Sequence, residues 1–132
     1  MSNPYRSNQY KETSIKTAGR GQLLIMLYEA AIQNVKKATM AIEKKDLQNK
    51  GVYIGKAHDI VNELLNTLDF EIGGDLAREL ERLYNFIIQE LLVANLENSK
   101  EKLQAVQKIL TTLLDGWREA ISQTNKGPGK TT

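Results

Sequence analysis

Apolar residues recur along this chain at alternating steps of three and four, the period of an α-helix that buries one face. Leu24, Tyr28, Ala31, Val35, Ala38 and Ile42 form one such seam and predict a helix over about 21–44. A second seam, Ile54, Ala57, Val61, Leu64 and Leu68, is expected to stop before Gly73-Gly74, with Asp75 as the N-cap of the next helix. Leu76, Leu80, Leu83, Ile87, Leu91 and Ala94 then predict a third helix over about 76–96. Leu103, Val106, Leu110, Leu113, Trp117 and Ala120 predict a fourth. The two prolines, Pro4 and Pro128, lie near the termini, so nothing between them breaks a helix. Helices of ~20 residues are ~30 Å long, and short connections force antiparallel neighbours. The expected fold is all-α, an antiparallel up-down four-helix bundle over residues 21–123. Residues 1–20 carry no seam and are read as an extended N-terminal arm with isolated Tyr5, Tyr10 and Ile15, and residues 124–132 as a flexible tail.

The third helix holds more apolar material than a bundle face requires. At 100° per residue, the fourth helix confines its apolar side chains to an arc of about 140°. In the third, Phe86 and Val93 lie on one flank of the core line and Ile88 and Leu92 on the other, opening the arc to about 260°. Val52 and Phe70 are likewise off the seam of the second helix. A surplus of this kind implies an additional layer: the arm, a partner helix or a second copy.

Composition narrows the chemistry. Hydrophobic residues make up 41% and charged residues 26% of the 132, within the range of a folded domain in water. No apolar run approaches the ~18 residues of a membrane span, and no membrane insertion is expected. Cysteine is absent and His58 is the single histidine, which excludes thiolate chemistry, structural zinc and a di-iron site built on paired Glu-x-x-His motifs. His58 reads as a packing or surface residue, GRGQ and GGD lack the setting of a phosphate loop, and no enzyme activity and no cofactor is expected. The net charge of +2 conceals an uneven layout. Residues 1–56 hold 10 basic and 4 acidic groups, residues 57–99 hold 2 and 9, and residues 100–132 hold 6 and 3. Lys36, Lys37, Lys44, Lys45, Lys50 and Lys56 are dispersed and are expected on solvated helix faces, so no nucleic-acid partner is inferred. Asp59, Glu63, Asp69, Glu71, Asp75 and Glu79 form an acidic block that reads as a solubility device, with steering of a basic partner as the alternative. The opening MSNPYRSNQY lacks the layout of a secretory signal, and a cytoplasmic location is expected.

Several short elements keep a common order. Asn3-Pro4-Tyr5, Tyr10, Ile15-Lys16-Thr17-Ala18 and Leu23-Leu24-Ile25-Met26-Leu27-Tyr28-Glu29-Ala30-Ala31-Ile32 come first. Lys56-Ala57-His58-Asp59-Ile60-Val61, Leu68-Asp69-Phe70-Glu71-Ile72-Gly73-Gly74-Asp75-Leu76-Ala77, Leu83-Tyr84, Ala94-Asn95 and Trp117 follow. Together they resemble the FliS family of flagellar export chaperones over about residues 3–121. The resemblance implies a non-enzymatic four-helix bundle that binds the C-terminal segment of flagellin, prevents its premature polymerisation, and helps deliver it to the export gate protein FlhA of the type III apparatus. On that reading Phe70, Phe86, Ile88, Leu92 and Val93 supply client-binding surface. Tyr5, Tyr10 and Ile15 are the arm and gate contacts, covering part of that surface until client arrives, with Gly19 and Gly21 as pivot. The empty protein is expected to be a monomer or weak dimer and to bind its client one-to-one. A helical homo-oligomeric structural or adaptor protein is the alternative.

Overall fold

The structure, a computed structural model, describes residues 19–131, with side chains through Thr124. Tyr5, Tyr10 and Ile15, and the arm they belong to up to residue 18, lie outside the described residues. Four helices follow one another: α1 (Arg20–Glu43), α2 (Leu47–Asn66), α3 (Phe70–Glu97) and α4 (Lys100–Thr131). Connections of two or three residues leave each helix no choice but to run back along its predecessor. Contacts run from α1 to α2, α2 to α3, α3 to α4 and α4 back to α1, so the bundle closes as a ring in chain order. The backbone of α4 continues as helix into the segment read as a tail.

Short polar side chains start and stop these helices. Asp46 caps α2 by accepting from the Asn49 amide at 3.3 Å, and Ser99 Oγ accepts from the Lys102 amide in the first turn of α4 at 3.2 Å. Asn98 ends α3 in the left-handed conformation, at φ 54° and ψ 45°. The true start of α3 is Asp69, whose carboxylate accepts from the amides of Glu71 and Ile72, both at 3.0 Å. This corrects the expected N-cap at Asp75, and the second helix ends at Asn66, not at the glycines. Gly73 and Gly74 instead lie within α3 and kink it: Gly74 adopts φ 51° and ψ −125°, a conformation open essentially to glycine alone. A Cβ on Gly73 would stand 2.8 Å from that of Ala77.

The core is one cluster contributed by all four helices. Tyr28, Ala31, Val35 and Ala38 come from α1, and Ile54, Ala57, Val61 and Leu64 from α2, as the seams predict. In α3 the buried stripe keeps strict steps of three and four, through Ala77, Leu80, Tyr84, Ile87, Leu91 and Ala94. Ala77 and Tyr84 are buried where Leu76 and Leu83 were expected, and Leu76 is exposed. In α4 Leu114 is buried where Leu113 was expected, Trp117 is half-buried, and Ala120 is exposed. Lys50, expected in solvent, is buried: its ammonium donates to the Asn95 carbonyl at 2.9 Å and to Asn98 Oδ1 at 2.6 Å. A cation there satisfies one orphan carbonyl at the negative end of α3 and ties that end to the start of α2.

At the centre, the hydroxyls of Tyr28 and Tyr84 meet at 2.5 Å, joining α1 to α3 across the bundle, and the ring centroids are 6.5 Å apart. Burial raises the pKa of both phenols above the ordinary tyrosine value. Trp117 Nε1 is buried nearby without an acceptor in hydrogen-bond range among the described residues. Outer ion pairs, Arg118 with Glu29 at 2.5 Å and Lys100 with Glu43 at 3.7 Å, tie α4 to α1 at its first residue and again past its midpoint.

Candidate functional site

Helix α3 positions the surface that the sequence pattern singled out. Its inner stripe, Ala77, Leu80, Tyr84, Ile87, Leu91 and Ala94, is buried, and that stripe fixes the direction of every other side chain on the helix. Phe86 is then 49% exposed and Leu92 51%. Ile88 is half-buried against the core and Val93 is half-buried. Phe70, at the first residue of α3, is 40% exposed.

These five residues do not share one groove. Glu90 pairs with Lys102 of α4 at 3.7 Å, and Phe86, Glu90 and Val93 are spaced four and three apart, so Phe86 and Val93 lie on the flank towards α4. Asn95 takes the Lys50 bond from α2, and a Cβ on Gly51 of α2 would come to 4.0 Å from Asn95 Oδ1. Ile88, Leu92 and Asn95 are likewise four and three apart, which places Ile88 and Leu92 on the flank towards α2. Phe70 stands beyond the Gly74 kink. The structure therefore brings Ile88 together with Leu92, and Phe86 together with Val93, as two strips along opposite edges of one exposed helix face.

Two exposed apolar side chains of α3 escaped the sequence pattern. Leu96 is 84% exposed at the end of α3, and Leu76 is exposed where the seam had assigned it to the core. Leu96 was legible as the next step after Leu92 along the outer strip. Leu76 was legible as well, because the alternating steps through Ala94, Leu91, Ile87, Tyr84 and Leu80 lead back to Ala77 and leave Leu76 outside the stripe. Elsewhere Leu23, Met26, Met40, Leu47, Val52 and Ile72 are exposed as well.

No group of three or more His, Asp or Glu among the described residues is placed to hold a metal ion. His58 is partly exposed, with Nδ1 at 3.3 Å from Asp59 Oδ1 of the same helix. Among the described residues no helix is long and apolar enough to cross a membrane. What the arrangement offers is apolar area on a rigid helix, flanked by polar residues, suited to binding an apolar segment.

Comparison with known proteins gives a consistent result. Residues 1–124 match the family described as Flagellar protein FliS. The flagellar secretion chaperone FliS of Campylobacter jejuni is 34% identical over 90% of this chain and 93% of its own length. That of Bacillus subtilis is 32% identical over 96% of this chain and 92% of its own. Among solved structures, a bacterial flagellar chaperone superposes with a TM-score of 0.76 at 24% identity, covering 90% of this chain and 97% of that one, which bears on the fold alone.

Proposed function

The chain belongs to the FliS family of flagellar secretion chaperones, a chaperone family and not an enzyme family, and from that premise we propose that its client is the C-terminal segment of flagellin. The observation that carries this reading is the outer face of α3. Phe86, Leu92 and Leu96 are apolar and open to solvent on a helix whose inner stripe already satisfies the core. A client that used both strips has to pass over the outside of α3, so it binds as an extended or helical chain laid around the bundle and not as a plug in a pocket. Covered in this way, an apolar flagellin segment is withheld from polymerisation in the cytoplasm and carried to the export gate protein FlhA. The arm residues Tyr5, Tyr10 and Ile15 fit this scheme as a displaceable cover, since a tyrosine offers an apolar body with a polar tip.

Sedimentation at physiological salt, with and without a flagellin C-terminal peptide, tests the proposal. The expected result is a monomer or weak dimer that becomes a one-to-one complex. Sedimentation unchanged by the peptide overturns the client assignment. Hydrogen exchange of residues 5–18 tests the arm: protection in the empty protein that is lost on adding flagellin supports it, and equal rates in both states refute it.

A further inference from the structure

The end of the bundle at the α1–α2 turn carries a feature that the client surface does not use. A cavity of about 140 Å³ opens there, lined by Lys37, Met40, Ala41, Lys44, Asp46 and Tyr53. Its lining combines apolar Met40, Ala41 and the Tyr53 ring with two cations, Lys37 and Lys44, and one carboxylate, Asp46. Ala41 is buried, Met40 is half exposed, and the Lys37 ammonium stands 5.8 Å from the centre of the Tyr53 ring. Lys36, Lys37, Lys44 and Lys45 form no ion pair among the described residues. The nearby carboxylates are engaged elsewhere, Asp46 in capping α2 and Glu43 with Lys100. Such a pocket suits a ligand with an apolar tip and carboxylates beside it.

The opposite end of the same molecule presents that ligand. Asp69, Phe70, Glu71, Ile72, Gly73 and Gly74 make a single helical turn set off by the Gly74 kink, and Ile72 at its crest is 88% exposed. Glu71 flanks it, and Asp75 follows, held only by an exposed 3.4 Å contact with Arg78. We propose that this turn of one copy docks in the α1–α2 pocket of a second copy, Ile72 entering against Met40 and Tyr53 while Glu71 and Asp75 approach Lys37 and Lys44. The two features lie at opposite ends of an antiparallel bundle, so one molecule cannot satisfy its own pocket. The contact is head-to-tail and heterologous, and it propagates as short open chains. It shares only Phe70 with the proposed client surface and uses none of Phe86, Ile88, Leu92 or Val93, so variants at Ile72, Glu71 and Asp75 test it apart from the client reading.

The test is sedimentation velocity of the full chain over a concentration series at low and high salt, where the screening length changes from ~30 Å at 0.01 M to ~3 Å at 1 M. Self-association is expected at low salt and is expected to disappear at high salt. A pocket variant, Lys37→Glu with Lys44→Glu, and a turn variant, Glu71→Lys with Asp75→Lys, are each expected to be monomeric when alone. Mixed in equal amounts they are expected to associate again, because each then offers the other a partner of opposite charge. Ile72→Asp is expected to weaken association about tenfold or more, the size of a hot-spot loss. Circular dichroism confirms that each variant is folded. A wild-type chain that stays monomeric at low salt overturns the proposal and leaves the pocket to some other acidic ligand. Variants that associate when alone, or that fail to associate when mixed, overturn it too.

Discussion

Helices α3 and α4 are neighbours of similar construction that differ in what they turn outwards. Both bury a stripe at steps of three and four, Leu80, Tyr84, Ile87 and Leu91 in one, Leu103, Val106, Leu110 and Leu114 in the other. Beyond the stripe, α4 shows Gln104, Lys108, Thr111 and Thr112 to solvent, and among the described residues none of the exposed large apolar side chains is its own. Helix α3 exposes Leu76, Phe86, Leu92 and Leu96. Since α4 holds its place in the ring with one apolar stripe, the outer residues of α3 are surplus to folding. Apolar area that folding does not need, kept on a rigid helix, is area left for a partner.

The difference predicts that adjacent residues on α3 behave oppositely. Leu91→Ala empties a fully buried site and is expected to cost about 2–5 kcal/mol of stability. Denaturant unfolding measures it, and a loss below about 1 kcal/mol would place Leu91 outside the core proper.

The central tyrosine pair offers the next largest effect. Tyr28→Phe leaves the Tyr84 hydroxyl buried without its partner and is expected to cost about 1–3 kcal/mol, whereas the double change to Phe at both positions recovers much of that loss. A double-mutant cycle in urea gives both numbers, and additive losses would show that the hydroxyls act separately.

The same pair sets an alkaline limit. Both phenols have folded-state pKa values raised above 10, the ordinary value that the unfolded chain retains. Below pH 10 the hydroxyls are neutral in both states and add no pH dependence. As the pH rises past 10 the unfolded chain ionises first, and stability falls towards the folded-state value. Equilibrium unfolding followed from pH 8 upwards is expected to show this decline in the wild type and to show it diminished in the double Phe variant. A decline of equal size in both would assign it to other groups.

Much of this fold can be read from spacing alone, because a 3.6-residue period writes the buried face of a helix directly into the order of residues. Tyr28, Val35, Val61, Ile87 and Leu110 fall where that period puts them. Helix boundaries slipped at Gly74, which kinks α3 from within while Asp69, not Asp75, caps it. Ala77 and Leu114 are buried in place of Leu76 and Leu113 because neighbouring apolar residues offered two registers and strict alternation of three and four selects one. Lys50 slipped for another reason: its partners, the Asn95 carbonyl and Asn98, lie 45 and 48 residues away, and no local pattern announces a contact that only closing the ring creates. For the candidate surface, the excess on α3 was legible as a width of arc. Its division into one strip beside α2 and another beside α4 was not, since spacing does not say which neighbour lies on which side.

Smallest in stability, and largest in consequence for function, is the change at the outer face. Leu92→Ser and Phe86→Ser are expected to shift unfolding free energy by within about 0.5 kcal/mol, as for surface positions, because the core stripe beneath them is untouched. The direct test of the account is calorimetric titration of a flagellin C-terminal segment into wild type and these two variants, with the melting temperature of each recorded alongside. The account predicts melting temperatures close to wild type and binding weakened by about 1–3 kcal/mol for at least one strip. Variants that stay folded and bind flagellin as tightly as wild type would contradict it.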